Sequence, residues 1–231
     1  MKITRLSDNL CQITFLRFSN CYLLRESDGL TLIDTSIKGR QKSILKAAGA
    51  FGGTIKRVLL THAHGDHMGS LDGIHSALGG LDVAISEREA PLLHKDLSLR
   101  PGEPQQNPKG GFPGAQTQPT HLLTEGELYG SLRCIDTPGH TPGHMSFLDE
   151  RDGTLIAGDA LVSVGELRPV NKPVWWFPLP KIATWDKPLA FASARKLAEL
   201  PIKQVATGHG KFVRDGAAAL ARAIARVEKN T

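Results

Sequence analysis

The chain has 231 residues, of which 40% are hydrophobic and 22% charged, and its formal net charge is +5. This composition is typical of a soluble globular protein and excludes a disordered or fibrous chain. The basic residues form no run and no apolar stretch approaches the roughly 18 residues of a membrane span, so we expect neither a nucleic-acid partner nor a membrane partner.

The first half of the chain is predicted to alternate between strands and helices. Short apolar runs indicate strands, and apolar residues at helical spacing indicate helices. The predicted strands are residues 10–16, 20–25, 30–34, 56–60 and 81–86. The predicted helices are residues 38–51, 69–78 and 87–93. This alternation favours the α/β class.

The second half contains two irregular segments, residues 95–119 and residues 165–185. The first is rich in Pro and Gly and too long for an ordinary connection, which indicates a functional or disordered loop. The other elements predicted here are strands at 132–136, 145–148, 154–157 and 205–207, and helices at 187–200 and 215–229. Because the order of elements repeats, we expect a single domain, residues 1–231, built of two similar halves.

The cysteines and the first residues predict a cytoplasmic protein. Cys11, Cys21 and Cys134 are odd in number, scattered and outside any C-x-x-C motif, which favours free thiols in a reducing compartment. The first ten residues include Lys2 and Asp8 without an apolar segment behind them, so we expect no secretion signal. We expect a small-molecule substrate as the partner, and a homodimer stays open.

Three of the nine histidines fall within residues 62–67, directly after a predicted strand. In an extended chain residues i and i+2 point to the same side, so His62 and His64 can bind one metal ion. The glycine that follows lets the chain turn, so Asp66 and His67 can face a second ion. The sequence therefore predicts ligands for two neighbouring metal ions.

Six adjacent residues cannot saturate two ions, so further ligands are expected at other strand ends. Three later loops carry suitable side chains beside Gly, Ala or Pro: His140 and His144, then Asp159, then His209. Spacing alone does not choose between His140 and His144. The set contains only nitrogen and oxygen ligands, whereas structural zinc is usually held by four ligands rich in Cys, which favours a catalytic site.

On these residues the chain resembles the metallo-β-lactamase superfamily, with its H-x-H-x-D-H signature and later His, Asp and His ligands in the expected order. The resemblance implies an α/β fold, the four-layer αββα sandwich, with a dinuclear site at one edge of two sheets. It implies the following ligands: His62, His64 and His140 for the first metal, Asp66, His67 and His209 for the second, and Asp159 as the bridge. In this family the His followed by Thr or Ser is the ligand, which selects His140 and gives His144 a supporting role.

The implied cofactors are two divalent metal ions, with zinc as the first choice and iron or manganese as alternatives, since imidazole and carboxylate ligands suit all three. Two such ions can share a water and lower its pKa, which produces a hydroxide nucleophile that Asp66 orients as the catalytic carboxylate. The expected function is a metallohydrolase that cleaves a small ester, thioester or lactone.

Other activities remain open on the same scaffold. An iron-dependent redox enzyme similar to persulfide dioxygenases is the main alternative. A β-lactamase is disfavoured, because the enzymes of that name that resemble this family lack the bridging carboxylate of Asp159. A phosphodiesterase is disfavoured because the nuclease branch of the family carries a large inserted domain.

The second irregular segment contains Trp175, Trp176 and Phe177 among prolines. Flanking the ligand loops, these side chains could form an apolar wall or lid over the acyl part of a ligand. They could equally belong to the core or to a dimer contact. The sequence leaves these alternatives open.

Overall fold

The computed structural model describes residues 1–172 and 174–229. By its internal contacts the chain divides into two compact units. Unit 1 comprises Met1–Asp96 and Gly111–Leu123, and unit 2 comprises Leu97–Gly110 and the described residues from Thr124 onward.

Unit 1 contains a seven-stranded sheet in which the strands lie in sequence order. Its strands are β1 (Lys2–Arg5), β2 (Leu10–Phe15), β3 (Ser19–Glu26), β4 (Gly29–Ile33), β5 (Ile55–Leu59), β6 (Asp82–Ser86) and β7 (His121–Leu123). The pairs from β1 to β4 are antiparallel, and those from β4 to β7 are parallel. Parallel neighbours require crossover connections, and the helices of unit 1 supply most of them.

The helices of unit 1 are α1 (Gln41–Phe51), α2 (Gly65–Met68), α3 (Leu71–Leu78) and α4 (Ala90–Leu93). The longer two are amphipathic, and Ile44 of α1 and Ile74 of α3 pack in one core with Leu23, Leu32 and Val58 of the sheet. Burial of this apolar surface is the main force that holds the helices on the sheet.

Three elements of unit 1 are missing from the prediction, namely β1, β7 and α2. Strand β1 was not predicted, because three of its four residues are exposed and its sequence therefore lacks the apolar alternation of a half-buried strand. The predicted helix 69–78 corresponds to α3, and the additional helix α2 precedes it from Gly65, because the His64 carbonyl accepts the N–H groups of His67 and Met68. Asp66 therefore lies in the first turn of a helix, rather than in the loop before one.

The described part of unit 2 has a five-stranded sheet in the order β14-β11-β10-β9-β8 and a two-stranded sheet of β12 and β13. The strands are β8 (Leu128–Tyr129), β9 (Leu132–Asp136), β10 (Met145–Asp149), β11 (Thr154–Ile156), β12 (Leu161–Val162), β13 (Arg168–Pro169) and β14 (Gln204–Ala206). The helices are α5 (Leu179–Ile182), α6 (Lys187–Ala198) and α7 (Gly216–Glu228). No strand or helix lies between 95 and 119, as predicted, whereas residues 165–185 do contain β13 and α5.

The core of unit 2 forms between its sheet and its two long helices. Leu197 of α6 and Leu220 of α7 pack in one cluster with Ile135, Leu155 and Val205 of the strands. Helix α6 begins where the Asp186 carboxylate accepts the N–H of Leu189 at 2.7 Å, which satisfies a backbone donor at the helix start. None of the described helices is long and apolar enough to cross a membrane.

The three cysteines are free, as predicted from their number and spacing, and all three are buried. Burial raises the pKa of Cys134 to about 12, with further contributions from Glu127, Asp136 and Glu125. Burial also raises the pKa of Cys21 well above its usual value, and that of Cys11 to a lesser degree.

These thiols are expected to resist a disulfide reagent such as dithionitrobenzoate in the folded protein at pH 8. A rise of three pKa units lowers the reactive thiolate fraction of Cys134 by a factor of about a thousand, and burial blocks access as well. In denaturant all three thiols should react. Rapid reaction of even one thiol in the native protein would contradict the expected burial.

Candidate metal centre

In unit 1 the predicted ligands lie between the end of β5 and the first turn of α2. His62 and His64 are buried in an extended segment, and His62 Nε2 lies 3.1 Å from His64 Nδ1. His62 and His67 have ligand atoms within 4.8 Å of each other, as do Asp66 and His67. The Asp66 side chain is 36% exposed, whereas that of His67 is 1% exposed. One partly open carboxylate thus stands beside three buried imidazoles.

Thr61 determines which nitrogen of His62 carries the proton. Its hydroxyl donates to the Asp34 carboxylate at 2.9 Å, so it must accept the hydrogen bond from His62 Nδ1–H at 3.0 Å. The unprotonated nitrogen of His62 is therefore Nε2, the one that faces His64. A neutral imidazole with this tautomer is ready to bind a metal ion.

Asp34 is a residue of the site that the sequence prediction missed. Its buried carboxylate also accepts the backbone N–H of Thr61 at 2.8 Å and His67 Nδ1–H at 2.8 Å. His67 thereby keeps Nε2 unprotonated, on the side of Asp66. The only signal in the sequence was an acidic residue at the end of the predicted strand 30–34. Carboxylates that orient metal-binding histidines in this way strengthen the metal site.

Other buried groups hold the backbone of this segment. The Glu89 carboxylate accepts the N–H of Ala63 at 2.9 Å, and the Gly65 N–H donates to the Gly111 carbonyl at 3.0 Å. A Cβ atom on Gly65 would lie 3.1 Å from Cγ of Pro113, so a glycine suits this close approach. These contacts fix the positions of the histidines on both sides of Ala63.

In unit 2 the three predicted ligands lie together in loops that follow strands. The side chains of His140, Asp159 and His209 are 1%, 2% and 4% exposed. Asp159 Oδ2 lies 3.0 Å from His209 Nε2 and 3.5 Å from His140 Nε2. One carboxylate oxygen is therefore shared between the two imidazoles.

A threonine also orients His140. Thr184 donates its hydroxyl hydrogen to the Pro180 carbonyl at 2.7 Å and so accepts His140 Nδ1–H at 3.1 Å. The unprotonated nitrogen is again Nε2, which faces Asp159. Thr184 accepts the Nδ1–H of His140 in unit 2, just as Thr61 accepts the Nδ1–H of His62 in unit 1. The sequence prediction included neither threonine.

His144, the other candidate in this loop, is hydrogen-bonded through both of its ring nitrogens. His144 Nδ1 lies 2.8 Å from the Thr137 hydroxyl, and its Nε2 accepts the backbone N–H of Asp159 at 2.9 Å. Both ring nitrogens are therefore engaged by the protein itself. His144 holds the backbone of Asp159, which agrees with the supporting role that the resemblance implies.

The aromatic segment lies against this group. The Phe177 ring centre is 5.4 Å from that of His209, in an edge-on arrangement. Trp175 is 88% exposed and Trp176 is 57% exposed. The alternative that placed these two tryptophans in the core is therefore wrong.

The donor set suits divalent metal ions. All seven predicted ligands are imidazoles or carboxylates, six of them are buried, and none is a cysteine. His62, His67 and His140 have a neutral tautomer that places the lone pair on Nε2. Without a cation, the buried carboxylate of Asp159 would be costly to keep ionised. The residues therefore fit metal ions of the zinc, iron or manganese type.

Comparison with known proteins agrees with this chemistry. The sequence model described as the metallo-beta-lactamase superfamily matches residues 14–209. The chain is 47% identical to the uncharacterized protein YobT of Bacillus subtilis (strain 168), over 99% of this chain and 100% of that protein. It is 31% identical to a hydroxyacylglutathione hydrolase of Methylococcus capsulatus (strain ATCC 33009 / NCIMB 11132 / Bath), over 68% of this chain and 53% of that enzyme. The chain thus aligns with about half the length of the hydrolase.

A solved structure shows the same fold. A protein crystallised in a di-iron-bound form superposes with a TM-score of 0.65 at 26% identity, covering 91% of this chain and 96% of that one. The family match spans most of the chain and includes every predicted ligand. The chain therefore belongs to the metallo-β-lactamase superfamily and is a metallohydrolase with that α/β fold.

Proposed function

We propose that the protein hydrolyses a small ester, thioester or lactone at a dinuclear metal centre. The observation that carries the proposal is the position of Asp159, whose Oδ2 is shared between His140 and His209. A carboxylate placed in this way can bridge two metal ions, because each imidazole can belong to a different ion. In unit 1 the 3.1 Å spacing between His62 Nε2 and His64 Nδ1 suits two ligands of one ion.

The proposed ligand set is the one that the family resemblance implies. The first ion would take His62, His64 and His140, the second would take Asp66, His67 and His209, and Asp159 would join them. Zinc is the first choice of metal. When bound, such a pair of ions supplies Lewis acidity and lowers the pKa of a water held between them.

The residues of the chain prepare this chemistry. Thr61, Asp34 and Thr184 accept the Nδ1–H groups of His62, His67 and His140, so none of these three neutral rings has to lose a proton before its Nε2 binds a metal ion. Asp66 is the more exposed of the two carboxylates, 36% against 2% for Asp159. It can therefore face both the solvent and the substrate, accept a hydrogen bond from the attacking water and hold its proton.

The names of the relatives support a thioester as the proposed substrate. The name hydroxyacylglutathione hydrolase describes an enzyme that acts on a thioester, and this chain is 31% identical to that enzyme over 68% of its own length. We propose thioesters and related activated esters before β-lactams. A small-molecule partner, with neither nucleic acid nor membrane, belongs to the same proposal.

The test combines metal analysis with a substrate panel. Purified protein is expected to hold two divalent ions per chain and to cleave a thioester or lactone faster than a phosphodiester or a cephalosporin. Asp66→Ala should lower kcat/KM by roughly 10²–10⁴, the range for a lost acid–base group. Asp82→Ala, which changes an exposed carboxylate at the start of β6, serves as the control. Full activity of Asp66→Ala, or cleavage of the phosphodiester alone, would overturn the proposal.

An iron-dependent redox activity is the second candidate. It is favoured by the di-iron-bound form of the similar solved protein. Protein that contains iron and consumes oxygen with a persulfide, but leaves every ester and thioester intact, would replace the hydrolytic proposal. Zinc content with thioester turnover would remove the redox candidate.

A further inference from the structure

Large hydrophobic side chains are concentrated on one exposed segment of unit 2, residues 174–182, which we call the apolar strap. In the described part of the chain ten large hydrophobic side chains are exposed, and four of them lie in the strap. They are Trp175 at 88%, Trp176 at 57%, Leu179 at 61% and Ile182 at 64% exposure. Contiguous exposed apolar residues mark a binding surface, whereas scattered ones need no explanation.

The backbone of the strap displays these side chains. Phe177 N–H donates to the Val174 carbonyl at 2.9 Å, and the two residues form a β-bridge, so Trp175 and Trp176 occupy the two central positions of a tight turn. Leu179 and Ile182 are three residues apart in the one-turn helix α5, which places them on one helix face. The local structure thus keeps all four side chains outside the core.

Both ends of the strap are tied to proposed metal ligands. At one end the Phe177 ring packs edge-on against His209. Just beyond the other end the Thr184 hydroxyl accepts His140 Nδ1–H, and the Trp185 N–H donates to the His140 carbonyl at 3.0 Å. An apolar surface anchored on these two histidines is continuous with the proposed reaction site. A surface for an unrelated partner would need no such link.

The charges around the strap indicate the other part of the ligand. Residues 167–185 contain Arg168, Lys172 and Lys181 and no Asp or Glu. This stretch combines exposed aromatic and aliphatic side chains with three basic residues, and one acidic residue lies directly beyond each end, Glu166 and Asp186. It suits a molecule that has both an apolar chain and an anionic group.

We propose that the apolar strap binds the acyl chain of the substrate, so that the natural substrates are thioesters or esters of medium- or long-chain carboxylic acids whose other half is anionic. This inference rests on the proposed hydrolytic function and names its substrate class. Binding of the acyl chain removes the strap side chains from water, and this energy favours long substrates over short ones.

The test compares chain-length preference between two matched double variants. Leu179→Ser/Ile182→Ser removes two strap side chains that are 61% and 64% exposed. Leu122→Ser/Leu128→Ser removes two aliphatic side chains elsewhere that are 49% and 57% exposed. The wild type should prefer an octanoyl thioester to the acetyl thioester, mainly through a lower KM. In the strap variant the ratio of kcat/KM for the octanoyl thioester to that for the acetyl thioester should fall about tenfold, which corresponds to the loss of apolar contact by roughly two methylene groups. The control variant should keep the wild-type ratio.

Direct binding separates failure of this inference from failure of the proposed function. Decanoate added to metal-loaded protein should shift the fluorescence of Trp175 and Trp176 to shorter wavelength, and Trp185, which is 1% exposed, supplies a constant background. Turnover of acetyl and octanoyl thioesters at equal rates would contradict the assignment of the strap as the acyl-chain site but would agree with the proposed hydrolase activity. A fluorescence shift without turnover of either thioester would contradict the proposed hydrolase activity and support the strap as a binding site for an acyl chain.

A membrane surface is the competing occupant, and vesicles test it. One result would overturn the substrate assignment in favour of membrane contact. In that result the wild-type protein sediments with phosphatidylglycerol vesicles, the strap variant does not, and the two proteins have the same chain-length preference. The absence of sedimentation together with the chain-length effect supports it.

Discussion

The Asp159→Asn variant is expected to hold no more than one metal ion per chain and to lose about a hundredfold or more of kcat/KM. Replacement of groups that merely orient ligands costs about 10–100-fold, so loss of a bridging ligand should cost at least the upper end of that range. The change keeps the shape of the side chain and removes the charge that lies between His140 and His209. Elemental analysis and steady-state kinetics measure the two effects.

In the absence of metal, the melting temperature of Asp159→Asn should nevertheless equal or exceed that of the metal-free wild type. Asp159 is buried, and an ionised carboxylate in that position is destabilising until a cation neutralises it. Added zinc should therefore raise the melting temperature of the wild type much more than that of the variant. Asp149→Asn is the matched control, because Asp149 is buried in the same unit and pairs with Arg151. Two tightly bound ions in Asp159→Asn would refute the bridging role.

The Asp34→Asn variant is expected to bind metal about 10–100-fold more weakly than the wild type. Asp34 accepts hydrogen bonds from His67 and from the N–H and the hydroxyl of Thr61. An amide has only one oxygen, so its NH2 group must face one of these donors. If it faces His67 Nδ1, the proton of the ring must move to Nε2, and the nitrogen proposed as the ligand is lost. Competition with a chromogenic chelator gives the affinity.

A pair of substitutions at Thr61 separates positioning from folding. Thr61→Ser keeps the hydroxyl that accepts His62 Nδ1–H and should retain wild-type metal affinity. Thr61→Val keeps the volume, loses the hydroxyl and should weaken metal binding. Wild-type affinity in both Asp34→Asn and Thr61→Val would show that the hydrogen bonds support the fold alone.

Four of the proposed metal ligands could be chosen from the sequence because the information about them is local. His62, His64, Asp66 and His67 are adjacent in sequence, and their spacing alone indicates a metal site. The residues that orient them were not predictable in the same way. Asp34 is 33 residues from His67, and Thr184 is 44 residues from His140. A single Asp or Thr in a loop carries no sign of a partner at that distance.

The elements of the fold follow the same division. Strands and helices with a clear apolar periodicity, such as β9 and α7, were predicted to within a residue or so of their ends. β1 and α5 were missed, because neither buries a continuous apolar face. The start of α2 was missed because it depends on hydrogen bonds from Gly65 to Gly111 and from His67 to the His64 carbonyl.

The family and the donor chemistry of the proposed site can be read from the amino-acid sequence, because they depend on the types of residues and their spacing. The three-dimensional structure was needed to show that His144 accepts the backbone N–H of Asp159. It was also needed to show which groups accept the Nδ1–H of the other histidines, namely Thr61 for His62, Asp34 for His67 and Thr184 for His140. It also decided that Trp175 and Trp176 face solvent. Hydrogen-bond partners and solvent exposure arise from packing between residues far apart in the chain. The identity of an aromatic or hydroxyl residue therefore does not indicate whether its side chain lies in a core, at a site or on a surface.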